Sequence, residues 1–501
     1  MNVDELNSDM SSSFGGDPAH KSGEDVIKMD FNKIKKVHLT GIKGVGMTAM
    51  ALYLQDIGIN ISGSDVSEVF VTDEILKKRN IKWLTGLSDK NVDKDTDLLI
   101  TTAAHGGLGN VEVEYAKKKG IPVMTYAEVL AQAAGEKETI GVCGVGGKTS
   151  ISSILSVVLD TAGMKPSFIV GVGNIYPLGV PGKYEKDGRN FICEADDYVI
   201  SPGIDNRPKF SLLTPKIVIA TNIEYDHPDI YENFEKTKEV FTQFFQKIPK
   251  FGHLIANADN ANTMSVAKNF RNNLVTYGFE DSVDYRIQKL KFENQKSIFS
   301  IYNKKKKKVI ENIRINLPGK FNVENATAAY VAGDLLGIDE ISLKSGLERY
   351  LGCRRRFEDM GMFFGGKFFD DYAHHPGEIV ATLKAAKDWF PKRRLVAVFQ
   401  PHTYSRTKAL FDDFARSFSE ANLVALMDIY SSAREKFDPG ISSEELAKKT
   451  KTFNKNCFYV GDHKMTVKWM EENIKSGDVV ITMGAGDIFH IYNDLKSISV
   501  K

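Results

Sequence analysis

The sequence predicts an α/β protein of three domains, the outer two Rossmann-like and the central one P-loop ATPase-like. Three observations lead there. A chain of 501 residues is long enough for about three separate cores. Short apolar runs alternate with helical patterns along nearly all of it, the order of parallel βαβ units. Those units carry glycine-rich or polar turns where strand passes into helix, at Gly41–Gly46, Gly144–Gly147 and Asp370–His375. The domains read as 33–135, 136–350 and 351–501, after a tail over 1–32 that is rich in Ser, Gly and Asp and lacks a hydrophobic period, as expected of disorder.

Composition narrows the function classes. With 42% apolar and 26% charged residues the chain is ordinary for a globular protein, and its net charge of +1 gives no global attraction to nucleic acid or to an anionic membrane. Charged ligands must therefore be held by local sites. No window is long and apolar enough for a membrane span, and the N-terminus lacks the basic-then-apolar order of a signal peptide, so a cytoplasmic protein without membrane insertion is expected. Cys143, Cys193, Cys353 and Cys457 form no CxxC pair and read as small buried residues rather than a disulfide or zinc framework.

In the first domain the strand VHLTG runs into Gly41, Gly44 and Gly46 and then a helix. A second strand, NISGSD, ends on Asp65, about where a dinucleotide-binding unit places its ribose-binding acid. Lys43 occupies the second glycine position of that fingerprint. DLLITTAA, the helix 111–119, GIPVMT and the helix 127–134 complete the unit.

The central domain opens on IGVCGVGGKTS, an apolar strand, a glycine-packed turn and a helical run through Leu159. Glycines let successive N–H groups turn inward on an anion, and the helix N-terminus adds partial positive charge. Lys148 would meet the outer phosphates and Thr149 a magnesium ion. A strict P-loop would have glycine where Val142 stands. NFICEADD ends in Glu194, Asp196 and Asp197, and IVIATNIEYDHPDIY ends in Asn222, Glu224, Asp226, His227 and Asp229. Ligands of open α/β sheets bind beyond such strand ends, and hard oxygen donors with a neutral imidazole suit Mg-ATP. The run Lys304–Lys308 lies between two alternating strand patterns and reads as a solvated hairpin tip. LPGKFNVENATAAYVAGDLLG supplies a turn and a long helix carrying Asn322 and Asn325.

The third domain follows the basic stretch CRRRFED. FFDDYAHHPGEI, LVAVFQPHTYSRT, LVALMDIY and VVITMGAGDIFH are four strands with polar tips, which gives this sheet a binding edge. Adjacent histidines on a turn, His374 and His375, are poorly arranged to share one zinc ion.

Taken in this order, GIKGVGM, SGSD, GVGGKTS, EADD, TNIEYDHPDIY, RRRFE, DDYAHHPGEI, QPHTYSRT and DIYSSARE resemble the ATP-dependent Mur ligases from Val37 onward. The resemblance implies that ATP, with Mg2+, phosphorylates a carboxylate to an acyl phosphate that an amine then attacks, in peptidoglycan precursor synthesis. QPH and DDYAHHPGEI look like the member that joins L-alanine to UDP-N-acetylmuramate. A murein peptide ligase of recycling, or a catalytically impaired nucleotide-binding homologue, are the alternatives. The resemblance places the UDP end on Gly44, Gly46, Met47, Ser64 and Asp65. It puts the phosphates on Gly144, Gly146, Gly147, Lys148, Thr149 and Ser150, one magnesium on Thr149 and Glu194, a second on His227, and adenine on Asn325. Arg356 and Asp371 would approach ATP, Tyr372 and His375 the amino-acid region, while His374 and Arg406 would orient the substrate carboxylate. A monomer or weak homodimer is expected. Departures from the family pattern stand at Val145, Gly146, Phe321, Thr403 and Lys43; Lys43 or the run Arg354–Arg356 is expected to supply compensating charge.

Overall fold

The computed structural model describes residues 30–227, 230–270, 272–431 and 437–499. Most of the expected tail, including residues 1–29, lies outside them. Its last residues do not: Asp30 caps a short turn over Phe31–Lys33, and Phe31 is buried in the first core, so order begins before the expected residue 33.

Five parallel strands form the first sheet, with Lys36–Thr40 at its centre, flanked by Asn60–Asp65 and then Lys82–Thr85 on one side and by Leu98–Thr101 and then Val123–Thr125 on the other. Chain order reverses beside the central strand, which is where such sheets open a ligand crevice. Beneath that edge lies a buried carboxylate. Glu112 accepts from Thr40 Oγ1 and Ser64 Oγ at 2.6 Å each and from Asn91 Nδ2 at 2.8 Å, with His38 Nε2 at 3.4 Å. It ties three strand or loop segments to the helix Val111–Lys119.

The central sheet has ten strands. Its parallel part places Glu138–Cys143 between Ile217–Ala220 and Asn190–Glu194, and the far side ends in the antiparallel strands Tyr285–Glu293, Lys296–Asn303 and Lys308–Ile315. Lys304–Lys308 are exposed at the tip of that meander, where Lys306 pairs with Asp334 at 2.6 Å and Lys308 with Glu340 at 2.7 Å, and solvent screens the remaining like charges. Period-two alternation decides what each face buries. Ile140, Val142, Ile192 and Ile219 point to the helices Lys148–Thr161, Lys320–Leu335 and Glu340–Arg349, while Cys143, Cys193, Val218 and Ala220 join a second apolar cluster. That second cluster is continuous with the core of the first domain: the Tyr53 ring meets Phe191 edge-on at 5.7 Å and Tyr184 at 5.4 Å. All four cysteines are buried free thiols.

The third sheet has six strands where the sequence pattern reads four, ordered Glu358–Phe363, Gly366–Asp371, Val479–Met483, Leu395–Phe399, Leu423–Met427, Cys457–Gly461. Glu358–Phe363 pairs antiparallel at one edge, and its half-buried, mixed sequence explains why its period was not visible. Among the described residues no helix is long and apolar enough to cross a membrane.

The Glu112 cluster makes a testable demand. Burial alone would raise this carboxyl, but hydrogen bonds from His38, Ser64, Thr40 and Asn91 outweigh it and hold the group at about 2 instead of 4.5. A depressed folded value contributes stability that is fully present above the ordinary value and is lost as pH falls through the folded one, on the order of 3 kcal/mol. Glu112→Gln is expected to speed hydrogen exchange in the strands 36–40 and 60–65 at neutral pH, with the gap to the unaltered protein closing as pH falls from 4.5 towards about 2. Equal protection at neutral pH would refute this role.

Candidate active site

The phosphate loop is shaped by two glycines in left-handed backbone, Gly144 at φ +119° and Gly147 at φ +89°. A side chain at either would collide: a Cβ on Gly144 would lie 2.2 Å from Thr221 Oγ1, and one on Gly147 2.7 Å from Asn325 Oδ1. The end of the neighbouring strand pins the loop from below. Asn222 Oδ1 accepts the Gly146 N–H at 2.8 Å, the Asn222 carbonyl accepts the Val145 N–H at 2.8 Å, and Thr221 Oγ1 donates to the Gly146 carbonyl at 2.6 Å. Helix Lys148–Thr161 then starts at Gly147 with no side-chain cap, which leaves its first-turn N–H groups facing the cavity.

Lys148 folds back so that its ammonium donates to the Gly144 carbonyl at 2.5 Å. Burial alone would lower its pKa, but the carboxylates of Asp196, Asp197, Glu194 and Asp226 hold it above the ordinary value. Thr149 Oγ1 lies 3.2 Å from both oxygens of Glu194, which also accepts the Gly171 N–H at 2.8 Å. Burial raises the Glu194 carboxyl against the pull of Lys148. His227 stands apart from this pair. It lies beside Asp196 and Asp197, the three offering ligand atoms within 4.8 Å of one another. Lys209 already pairs with Asp196 at 2.7 Å and, with Lys148, keeps it ionised against the cost of burial.

From the third domain, Arg356, Asp371, His374, His375 and Arg406 reach the same cavity, whose volume is about 690 Å³. Asp371 is held by the N–H groups of Phe357 at 2.8 Å and Ala373 at 2.9 Å; burial nevertheless raises it to about 6, with Arg356 opposing. His374 Nδ1 lies 3.0 Å from the Tyr372 carbonyl, and burial lowers its pKa despite the nearby Glu378. Glu378 Oε2 accepts the N–H groups of His374 at 3.0 Å and His375 at 3.2 Å, closing the first turn of helix Pro376–Trp389. Tyr372 sits behind, its ring 5.3 Å from the guanidinium groups of both Arg355 and Arg356.

The expected compensating charges divide. Arg354 pairs with Glu358 at 3.1 Å, and Arg355 is buried against Asp370 at 2.9 Å and the Gly484 and Gly486 carbonyls. Of the three, Arg356 alone faces the cavity. Lys43 is a correction: it is 1% exposed, and its ammonium is spent on the carbonyls of Val66 and Glu68, with Asp73 at 3.9 Å. It staples the segment after Asp65 to the turn instead of offering charge to a ligand. Asp65 accepts the N–H groups of Lys43 at 2.7 Å and Val66 at 2.8 Å, Ser64 is committed to Glu112, Met47 is in the core, and Gly46 makes room for the Tyr126 ring. Gly44 heads the helix Val45–Ile57 with no side-chain cap, and Val45 lies beside Gly171, the residue that donates to Glu194. The first-domain turn thus adjoins the carboxylate end of the central cavity.

With this arrangement in view, comparison with known proteins is decisive. Residues 36–138 match "Mur ligase family, catalytic domain", 142–333 "Mur ligase middle domain" and 355–486 "Mur ligase, glutamate ligase domain". The chain belongs to the Mur ligase family. The UDP-N-acetylmuramate--L-alanine ligase of Caldanaerobacter subterraneus subsp. tengcongensis is 34% identical over 467 residues, 93% of this chain and 98% of its own length. That of Clostridium acetobutylicum is 37% identical over 470 residues, again 93% and 98%. Among solved structures, the UDP-N-acetylmuramate-alanine ligase of Thermotoga maritima superposes with a TM-score of 0.76 at 24% identity over 93% of this chain and 100% of its own. A murein peptide ligase from Psychrobacter arcticus gives 0.67 at 22% identity over 92% and 98%. Both likenesses bear on fold.

Some residues that organise this Mur ligase site were missed as such in the sequence. Glu378 carries a readable signal, since an acid three residues into a helix after a turn is the capping-box position. Lys209 carries none, because only folding brings it to Asp196. Asn222 was visible as a strand-end polar group, but its grip on Gly146 depends on sheet order. Asn222→Ala is expected to weaken nucleotide binding about tenfold, the size of one lost hydrogen bond to a preorganised loop. Calorimetric titration with ATP checks this, and unchanged affinity would remove Asn222 from the account. Gly147→Ala, strained by its φ and its contact with Asn325, is expected to abolish that binding.

Proposed function

We propose that this Mur ligase joins the carboxylate of UDP-N-acetylmuramate to the amine of L-alanine, using ATP and passing through an acyl phosphate, in peptidoglycan precursor synthesis. The observation that carries the reading is the convergence on one cavity of the glycine-and-lysine cradle of the central domain and the cations Arg356 and Arg406 of the third. Relatives of that name, alike over nearly the whole chain, supply the substrates.

A carboxylate resists nucleophiles because of its charge, so the first requirement is to bring two anions together. The loop N–H groups and Lys148 cradle the phosphates of ATP, and Arg356 and Arg406 receive the carboxylate and its phosphorylated form. Thr149 and Glu194 would hold one magnesium ion, and His227 beside Asp196 and Asp197 a second, since both sets offer the hard donors this ion prefers. Bound there, magnesium neutralises phosphate charge and orients the terminal group. The second requirement is an uncharged amine. His374 is kept neutral by burial, and with Nδ1 engaged by the Tyr372 carbonyl its Nε2 carries the lone pair, suited to take a proton from the incoming ammonium group. The UDP end lies over the Gly44 turn, where the uncapped helix favours a diphosphate. Dependence on ATP puts the reaction in the cytoplasm.

The test is phosphate release from ATP with UDP-N-acetylmuramate, with and without L-alanine, glycine, L-serine or a tripeptide, in the unaltered protein and in Lys148→Ala. Release is expected to need L-alanine and to disappear in the variant. Release with the tripeptide alone would assign the chain to peptide recycling, and no release with any amine would mean that catalysis has been lost.

A further inference from the structure

The reaction poses a problem of reach. Its sugar nucleotide is held at the UDP end by the first domain, while the carboxylate at the other end must meet Arg356 and Arg406 of the third. Reacting groups carried on separate domains need those domains fixed in register. The first and third domains touch at a polar contact outside the cavity wall: His490 Nε2 lies 3.2 Å from the Val69 carbonyl. A carbonyl only accepts, so Nε2 carries the proton.

Each side of that contact leads to a substrate-facing group. Val69 lies in the segment 66–72, which leaves the strand Asn60–Asp65, and Lys43 joins this segment to the Gly44 turn. The Lys43 ammonium donates to the Val66 carbonyl at 2.8 Å and to the Glu68 carbonyl, and it lies 4.9 Å from the centre of the Phe70 ring; the Lys43 carbonyl accepts from Thr72 Oγ1. On the other side, His490 ends the short turn Ile488–His490, just after Gly484 and Gly486. The carbonyls of those glycines hold Arg355, which also lies 4.9 Å from the Phe489 ring and directly precedes Arg356 of the cavity wall. Gln400, on the stretch that leads to Arg406, donates to Asp487 at 2.7 Å and accepts the Ile488 N–H at 3.0 Å. Both cavity cations are thus tied through their neighbours to the turn that His490 ends.

We infer that the segment 66–72 is a strut that sets the third domain in register with the first, with Lys43 anchoring its inner end and His490 acting as the positioning residue at its outer end. The inference rests on the ligase reading above, with the UDP end at the Gly44 turn, and adds how the acyl carboxylate is brought to Arg356 and Arg406. Two further contacts mark the same junction. Gly173 of the central domain lies between Val71 and Arg354, such that a Cβ there would be 3.2 Å from Val71 Cγ2 and 3.0 Å from Arg354 Cγ. The Tyr430 hydroxyl is raised by burial, then by the charges of Asp487 and of Glu68, the last a residue of the strut. Magnitudes decide where loss of the strut is felt. A half-buried hydrogen bond contributes little to stability, whereas displacing reacting groups by about 1 Å costs on the order of a hundredfold in rate, so the effect falls on turnover.

The experiment compares the full chain with His490→Ala, His490→Gln, Lys43→Met and the double variant Lys43→Met/His490→Ala. Calorimetric titration with UDP-N-acetylmuramate and with ATP is set beside kcat for L-alanine-dependent phosphate release. His490→Ala is expected to keep the affinity and stoichiometry of both ligands, which shows a folded protein, while kcat falls about tenfold or more. His490→Gln, whose amide can donate to the same carbonyl, is expected to recover most of that loss. The double variant is expected to lose little beyond the worse single one, because both substitutions cut one strut. Hydrogen exchange gives a readout that survives if Lys43→Met does not fold: UDP-N-acetylmuramate is expected to slow exchange over 484–490 in the unaltered protein and to leave it unchanged in His490→Ala. An unaltered kcat in His490→Ala, a Gln variant no better than the Ala variant, or exchange over 484–490 that ignores the sugar nucleotide overturns the strut while leaving the ligase reading intact. An unaltered protein that does not bind UDP-N-acetylmuramate overturns the ligase reading and the strut with it.

Discussion

The site depends on a loop that cannot hold itself. Gly144 and Gly147 give the backbone its curl, yet glycine also makes such a turn expensive to order, because it has the most freedom to lose. Thr221 and Asn222 supply the restraint, gripping the loop through the N–H groups of Val145 and Gly146 and the carbonyl of Gly146. Because their strand, Ile217–Ala220, is paired in register with Glu138–Cys143, the grip is set by the sheet. The loop is thus preorganised by strands whose alternating side chains bury two apolar faces, and local chemistry inherits the stiffness of the core.

Charge balance is the second organising feature. The central domain brings Glu194 and Asp196 to one strand end, where Lys209 answers Asp196 and Lys148 with the Gly171 N–H answers Glu194; across the cavity, Asp371 of the third domain is answered by Arg356 and two backbone donors. Cations elsewhere in the motifs serve structure. Lys43 and Arg355 are buried against carbonyls and acids, where their charge fixes loops. A cationic residue beside a ligand turn is informative only when its partners are known.

Much of this was legible in the sequence. The strand-turn-helix order, the phosphate loop, the acidic strand ends and the lysine hairpin all follow from local pattern, because period and glycine placement are properties of contiguous residues. The edge strand Glu358–Phe363 escaped because only Phe363 is buried and the other residues show no regular alternation. Lys43 escaped for a different reason. Its motif position announces a ligand turn, but its ammonium is fixed by Val66, Glu68 and Asp73, which reach it only through tertiary folding. Distances within one loop can be read from a sequence; distances between loops depend on register and domain packing.

The merging of the first-domain core with one face of the central sheet has a consequence for how the protein can be divided. Apolar residues from Phe31 to Ala134 and from Cys143 to Ala267 form one cluster, with Tyr53 wedged against Phe191 and Tyr184. Cutting the chain at the linker near Gly135 would strip each half of its neighbour's covering and leave oily surface on both, with the insolubility that brings. The two modules are joined at the seam as well as along the chain, so an exchange of substrate-recognition modules between relatives would have to carry both sides of that seam.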